Sequence, residues 1–311
     1  MNFLYFLEGL RTPILDKFMS LITHLGDETV FLVLALLLLW CVDKKRGYLF
    51  LIVGFVGIIT NQLLKLTFRI PRPWIKDPNF TTVGEATERA GGYSFPSGHT
   101  QNVTDSFGCI ARSAKARWLH ILCIVIIALV GFSRMYLGVH TPLDVLVSLG
   151  IGALLVLVAY PLLEKALSNK RGAWILLASL CCLSIGFVLL TELYFPTVAD
   201  IDAHNLSEGQ SNAYTMLGCS LAILPVYWLD QQKIKFRTSA PLLGQACKLV
   251  LGAAIAVALK ALLKQPLIAI FGDEYIARAV RYFIIVVFAG ALWPLTFPLF
   301  ARLGKKGDQT D

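Results

Sequence analysis

Three short polar blocks interrupt this apolar chain of 311 residues, and each carries groups suited to phosphate chemistry. The first runs Lys65-Leu-Thr-Phe-Arg-Ile-Pro-Arg72-Pro73, the second is Pro96-Ser97-Gly98-His99, and the third is Ser133-Arg134 followed by His140 and Asp144. A phosphoryl group in transfer spreads negative charge over its equatorial oxygens, so catalysis there is mostly positioning and electrostatic stabilisation. Lys65, Arg72 and Arg134 supply cations, His99 and His140 supply proton-transfer groups, and Asp144 supplies a carboxylate to orient an imidazole.

The local sequence says how these groups are presented. Lys65 falls near the end of an apolar run, and Pro71 and Pro73 stop a helix before or around Arg72. A lysine from the helix and an arginine from the following turn can then reach one place. Taken alone, the pair reads equally well as cations snorkelling to an interface. Pro96 to His99 opens another helix, where the Ser97 hydroxyl, the Gly98 backbone and the free amides of the first turn make an anion site. Thr141-Pro142-Leu143-Asp144 has the form of a helix start, with a threonine cap, proline in the first position and an acid three residues after the cap. Asp144 can cap that helix and also hold His140, which lies just outside it.

The elements that carry the blocks must lie in a membrane. Hydrophobic residues make up 56% of the chain and charged ones 15%, with a mean hydropathy of +0.67, too apolar for a soluble domain of this length. Spans of about 20 residues each are expected near 26–42, 47–67, 98–113, 118–135, 142–163, 173–194, 213–229, 242–264 and 280–300. The fold class expected is therefore all-α, a polytopic transmembrane helical bundle of about nine spans. The third is the least apolar, holding Gln101, Asn102, Thr104, Asp105 and Ser106, and is expected to turn this polar face into the bundle.

The net charge of +8 is distributed in a way that excludes a nucleic-acid reading. Lys44, Lys45 and Arg46 follow the first span, and Arg112, Lys115 and Arg117 the third. Lys165, Lys170 and Arg171 follow the fifth, Lys233, Lys235 and Arg237 the seventh, and Arg302, Lys305 and Lys306 the ninth. If positive loops are cytoplasmic, the amino terminus and all three polar blocks face outward. An acidic loop with Asp200, Asp202 and Glu208 falls on that side too.

The seven cysteines lie within or at the ends of the expected spans, with no disulfide or metal-ligand spacing, and read as small apolar residues. His24 and His120 read as structural histidines at span edges, and His204 as a solvated loop residue. Residues 1–25 lack a cleavable leader pattern and are expected to lie along the outer interface. Residues 26–170 hold all the chemistry, and 171–311 add helices without a catalytic spacing. Lys260, Lys264 and Pro266 faintly echo the first block but have no histidine partner.

Taken together, the three blocks resemble the signatures of the type 2 phosphatidic acid phosphatase superfamily. Six residues separate Lys65 from Arg72, five separate Arg134 from His140, and three separate His140 from Asp144. The match covers about residues 20–165. It implies a phosphatase/haloperoxidase-type core and a metal-independent reaction with no cofactor. His140 would form a phosphohistidine, Asp144 would orient it, and His99 would protonate the leaving oxygen. Lys65, Arg72, Ser97, Gly98 and Arg134 would hold the phosphate.

The expected protein is a multi-pass phosphatase of a bacterial plasma membrane. It would act on a membrane lipid phosphate or diphosphate, such as undecaprenyl pyrophosphate, phosphatidic acid or phosphatidylglycerol phosphate. Alternatives are a lipid phosphotransferase, a sugar-phosphate phosphatase like the glucose-6-phosphatase branch, and a transporter or scaffold on the same core.

Overall fold

The computed structural model describes residues 1–87 and 90–303, the side chain of Glu85 excepted. Every regular element among the described residues is helical. Helices α1 (Asn2–Gly9) and α2 (Pro13–Thr23) lead through a tight turn at His24–Gly26 to α3 (Glu28–Leu37), which widens into a π-turn at Leu38–Val42. Then come α4 (Lys44–Phe68), the single turn α5 (Pro73–Lys76), α6 (Gly98–Ser113), α7 (Arg117–Tyr136), α8 (Pro142–Leu154) and α9 (Tyr160–Ala166). The chain continues with α10 (Lys170–Leu189), α11 (Ala203–Leu229), α12 (Leu242–Leu262), α13 (Lys264–Phe271), α14 (Glu274–Val287) and α15 (Phe297–Phe300).

The helix boundaries follow from local chemistry. Thr12 accepts from the Leu15 amide with Pro13 in the first position of α2, and Ser97 accepts from the Thr100 amide to open α6. At α8 the full capping box forms: Thr141 accepts from the Asp144 amide, and Asp144 accepts from the Thr141 amide. α4 stops after Phe68, where Arg69 adopts a left-handed conformation (φ 50°) and Pro71 disfavours further helix.

Helices are present at all nine expected positions, but among the described residues six are long and apolar enough to cross a membrane. They are Lys44–Lys76, Arg117–Tyr136, Pro142–Ala166, Lys170–Thr197, Leu242–Phe271 and Glu274–Phe300. A bent pair, Pro13–Gly26 with Glu28–Val42 at 49°, makes a possible seventh. The two remaining expected spans are α6, which has 16 residues and a polar face, and α11, whose amino-terminal half is polar. The protein is a multi-pass membrane protein.

The contacts divide the chain into two compact units whose segments alternate along it. The first comprises Met1–Leu32, Phe50–Lys165 and Gly186–Ala213. At its centre α6 packs between α7 and α8. The polar residues of α6 face this interior: Thr100, Gln101, Thr104, Asp105 and Ser106 are all buried. Small residues let the helices close on one another, as Gly108 lies against Val156 and Gly131 against Val145 and Thr100.

The second unit comprises Val33–Leu49, Ala166–Ile185 and the chain from Tyr214 onward. Its core is aromatic, with Trp40 against Trp293 and Phe297. Buried Asp230 pairs with Lys44 at 2.7 Å, and buried Lys248 donates to the Thr238 carbonyl at 2.9 Å. Such charges persist inside a bundle only when paired or hydrogen-bonded. The seven cysteines are free; Cys109, Cys123, Cys181 and Cys219 are buried, Cys41 and Cys247 partly so, and Cys182 is exposed.

Candidate active site

The three polar blocks converge within the first unit on one cavity of about 440 Å³. Lys65, from the last full turn of α4, is buried and donates to the carbonyl of Tyr93. Arg72 follows the end of α4 at the start of α5. Its guanidinium is fixed by carbonyls: Nε to Gly92 at 3.0 Å, Nη2 to Gly91 at 2.6 Å and Nη1 to Val139 at 3.0 Å. Gly92 has φ 70°, a conformation that costs a side chain dearly, and its turn brings the two carbonyls onto Arg72.

Arg72 Nη1 also lies 2.9 Å from His140 Nε2. A guanidinium can only donate, so Nε2 accepts with its lone pair and the ring proton sits on Nδ1. His140 Nδ1 is 3.5 Å from Asp144 Oδ2, close enough for an ion pair but without a formed hydrogen bond. That same carboxylate oxygen accepts from Ser94 Oγ at 2.6 Å and from the Thr141 amide at 2.7 Å. Asp144 therefore caps α8 and stands behind His140 at once.

Burial above all, then the positive charges of Arg72, Arg134 and Lys65 and neighbouring His99, hold the His140 imidazole well below its ordinary pKa. A neutral ring leaves Nε2 unprotonated, with its lone pair turned toward Arg72 Nη1.

Arg134, at the last turn of α7, is buried, with Nη1 donating to Thr23 Oγ1 at 2.8 Å and Nε without a protein partner. Gly98 and His99 line the cavity from the first turn of α6. Ser97 is fully buried; its hydroxyl lies 2.9 Å from Thr100 Oγ1 and closes the cap of the helix. The cavity wall thus includes Lys65, Arg72, Gly98, His99, Arg134 and His140, whereas Ser97 and Asp144 stand behind it.

One group that lines the cavity was not singled out in the sequence, Asp27 of the turn before α3. His99 Nε2 lies 2.9 Å from Asp27 Oδ1, and the other oxygen of Asp27 lies 2.8 Å from His24 Nδ1. The turn reaches α6 because residue 26 is glycine: a Cβ there would stand 2.9 Å from the His99 carbonyl oxygen. Asn102 ties the turn down through the Gly26 carbonyl at 2.8 Å. The signal available in sequence was the polar His24-Leu-Gly26-Asp27 just before an apolar run.

Other singled-out residues lie elsewhere. His120 contacts the Ala116 carbonyl at the start of α7, and His204 is exposed on α11. Glu208, also on α11, does line the cavity. Among the described residues no group of three or more His, Cys, Asp or Glu side chains could hold a metal ion.

A buried site of three cations around a neutral histidine, with a carboxylate behind it, defines a class: helical membrane proteins built to bind and transfer a phosphoryl group. Residues 45–168 match the model of the PAP2 superfamily, and residues 214–306 match that of the PAP2 superfamily phosphatase transmembrane extension. The chain is similar to undecaprenyl-diphosphatase BcrC of Bacillus subtilis, 30% identical over 47% of this chain and 73% of that protein. It is similar to phosphatidylglycerophosphatase B of the same organism, 32% identical over 47% of this chain and 74% of that one. A probable sphingosine-1-phosphate phosphatase of Dictyostelium discoideum is 30% identical over 46% of this chain and 37% of its own length. No solved structure matches the chain. The chain belongs to the PAP2 superfamily of phosphatases.

Proposed function

We propose that the protein hydrolyses a lipid phosphate or diphosphate through a phosphohistidine, without a metal ion. The observation that carries this reading is the lone pair of His140 Nε2 facing Arg72 at 2.9 Å, inside a cavity that Lys65 and Arg134 also line. In the first half-reaction Nε2 attacks phosphorus while the ester P–O bond breaks. Developing charge on the oxygens is met by Lys65, Arg72, Arg134 and the Gly98 amide at the start of α6, the turn that Ser97 caps. The proton on Nδ1 faces Asp144, which stabilises the positive ring as the P–N bond forms. His99 gives its proton to the departing alcohol oxygen. In the second half-reaction water attacks phosphorus, His99 takes its proton, and phosphate leaves as His140 returns to neutral.

The relatives named above act on an isoprenoid diphosphate, a phosphatidylglycerol phosphate and a sphingoid phosphate by their names, and lipid substrates for this chain follow by similarity. The alternation of basic loops supports nine crossings, with α6 and α11 shielded inside the bundle and the site on the outer face of a plasma membrane. The test is phosphate release by the purified protein from undecaprenyl diphosphate, phosphatidic acid and phosphatidylglycerol phosphate in the presence of a chelator. Release from at least one, lost in His140→Ala, is expected, with an acid-labile phosphoenzyme trapped from labelled substrate. No release from any, or release abolished by chelator, overturns the reading.

A further inference from the structure

The cavity extends beyond the groups that would hold phosphate. On α4, Ile58, Asn61 and Gln62 stand about one to two turns before Lys65 on the same face, and on α6, Gln101 and Asp105 stand about one and two turns after Gly98 on one face. The two faces form a wall running roughly 6–9 Å away from the phosphate groups along the helices. Asn61 Oδ1 would be 3.7 Å from a Cβ on Gly98, so this wall begins directly beside the amino terminus of α6.

Its hydrogen-bonding capacity is unspent. Asn61 is 3% exposed, and neither its Oδ1 nor its Nδ2 has a protein partner. Gln101 is 2% exposed; its Nε2 donates to both oxygens of Asp105 at 3.0 Å, which leaves its Oε1 as an unpartnered acceptor. Buried amides are normally satisfied, and leaving one bare costs about 1–3 kcal/mol. The phosphoryl transfer just described uses none of these groups.

Building on the phosphatase reading, we infer that this wall is a leaving-group subsite. It selects phosphate monoesters whose alcohol carries hydrogen-bond donors, hydroxyl or ammonium, on the carbons next to the ester. Asn61 Oδ1 and Gln101 Oε1 present two unpartnered acceptors, and Asn61 Nδ2 one unpartnered donor group, at the depth those carbons reach. A plain alkyl chain would bury the bare amides without partners. The second phosphate of an isoprenoid diphosphate brings only acceptors, which can meet Asn61 Nδ2 but leave Asn61 Oδ1 and Gln101 Oε1 bare, so such a diphosphate is a poorer fit.

The experiment measures kcat/KM for phosphate release by the purified full chain in mixed micelles with four probes of matched chain length. They are a plain alkyl phosphate, a monoacylglycerol phosphate, a long-chain amino-alcohol phosphate and an isoprenoid diphosphate. Either donor-bearing ester is expected to exceed the alkyl phosphate and the diphosphate by about tenfold or more. The larger of the two identifies hydroxyl or ammonium as the preferred donor. In Asn61→Leu and in Gln101→Met, tested separately, the ratio of donor-bearing to plain ester is expected to fall toward one. Equal rates on all four probes, or a preference unchanged in both variants, overturns the subsite while leaving the phosphatase reading intact. Absence of release from every probe overturns that reading too.

Discussion

Asp27→Asn tests how the protonating histidine is held. Among the described residues Asp27 is the only carboxylate within hydrogen-bond distance of His99, with its oxygens 2.9 Å from His99 Nε2 and 2.8 Å from His24 Nδ1. An ionised acceptor makes a hydrogen bond worth about 1.5–3 kcal/mol, against about 0.5–1.5 for a neutral one. Asparagine is nearly isosteric but uncharged, and it can accept from only one of the two rings. The charged form of His99, needed to protonate the leaving oxygen, should therefore lose about 1–2 kcal/mol, which is about 5–30-fold in kcat. Among the described residues Asp27 makes no hydrogen bond to Lys65, Arg72 or Arg134 and acts on Arg134 only through its charge, so KM should change less than kcat. A less stabilised acid also deprotonates more easily, moving the basic limb of the kcat–pH profile to lower pH. The assay is phosphate release from a lipid monoester across a pH series, with folding checked by thermal unfolding in detergent. An unchanged kcat and pH profile in a folded Asp27→Asn protein, or a change confined to KM, would refute the argument.

Asp144→Asn should cost at least about 100-fold in kcat, because its Oδ2 has to face Ser94, the Thr141 amide and the His140 ring together; steady-state kinetics on the purified variant checks it. Gly26→Ala should destabilise by about 1–3 kcal/mol and lower kcat, since the new Cβ would sit 2.9 Å from the His99 carbonyl oxygen. Thermal unfolding and phosphate release should fall together in that variant. The depressed His140 pKa gives a stability signature. An unfolded histidine binds a proton below about pH 6.5 while the buried one does not, so stability declines as pH falls through that value. Between pH 7.5 and 5, wild type should lose more Tm than His140→Gln, and parallel losses in the two would contradict the buried neutral imidazole.

Much of the site was readable from local sequence. The cap chemistry at Ser97 and Thr141 and the prolines around Arg72 depend on neighbours within four residues, and each forms as its local rule requires. The polar face of α6 was legible for a similar reason. A helix carrying Gln101, Asp105 and Ser106 can sit in a bundle only with that face inward, where all three are buried. Hydropathy alone does not mark α6 or α11 as a span, since α6 turns a polar face into the interior and the amino-terminal half of α11 is polar.

Tertiary structure alone decided which groups meet. Asp27 and His99 are separated by 72 positions, and no periodicity links a turn before α3 to the start of α6. Packing also decides where the Ser97 hydroxyl lies, in the α6 cap beside Thr100 Oγ1. The bare amides of Asn61 and Gln101 are likewise invisible in sequence, since a side chain is unpartnered only with respect to everything folded around it. Residue types and spacing determined that this membrane protein can handle phosphate. The long-range packing of the turn before α3 and of α4 and α6 determined that Asp27 meets His99 and that the Asn61 and Gln101 amides line one cavity.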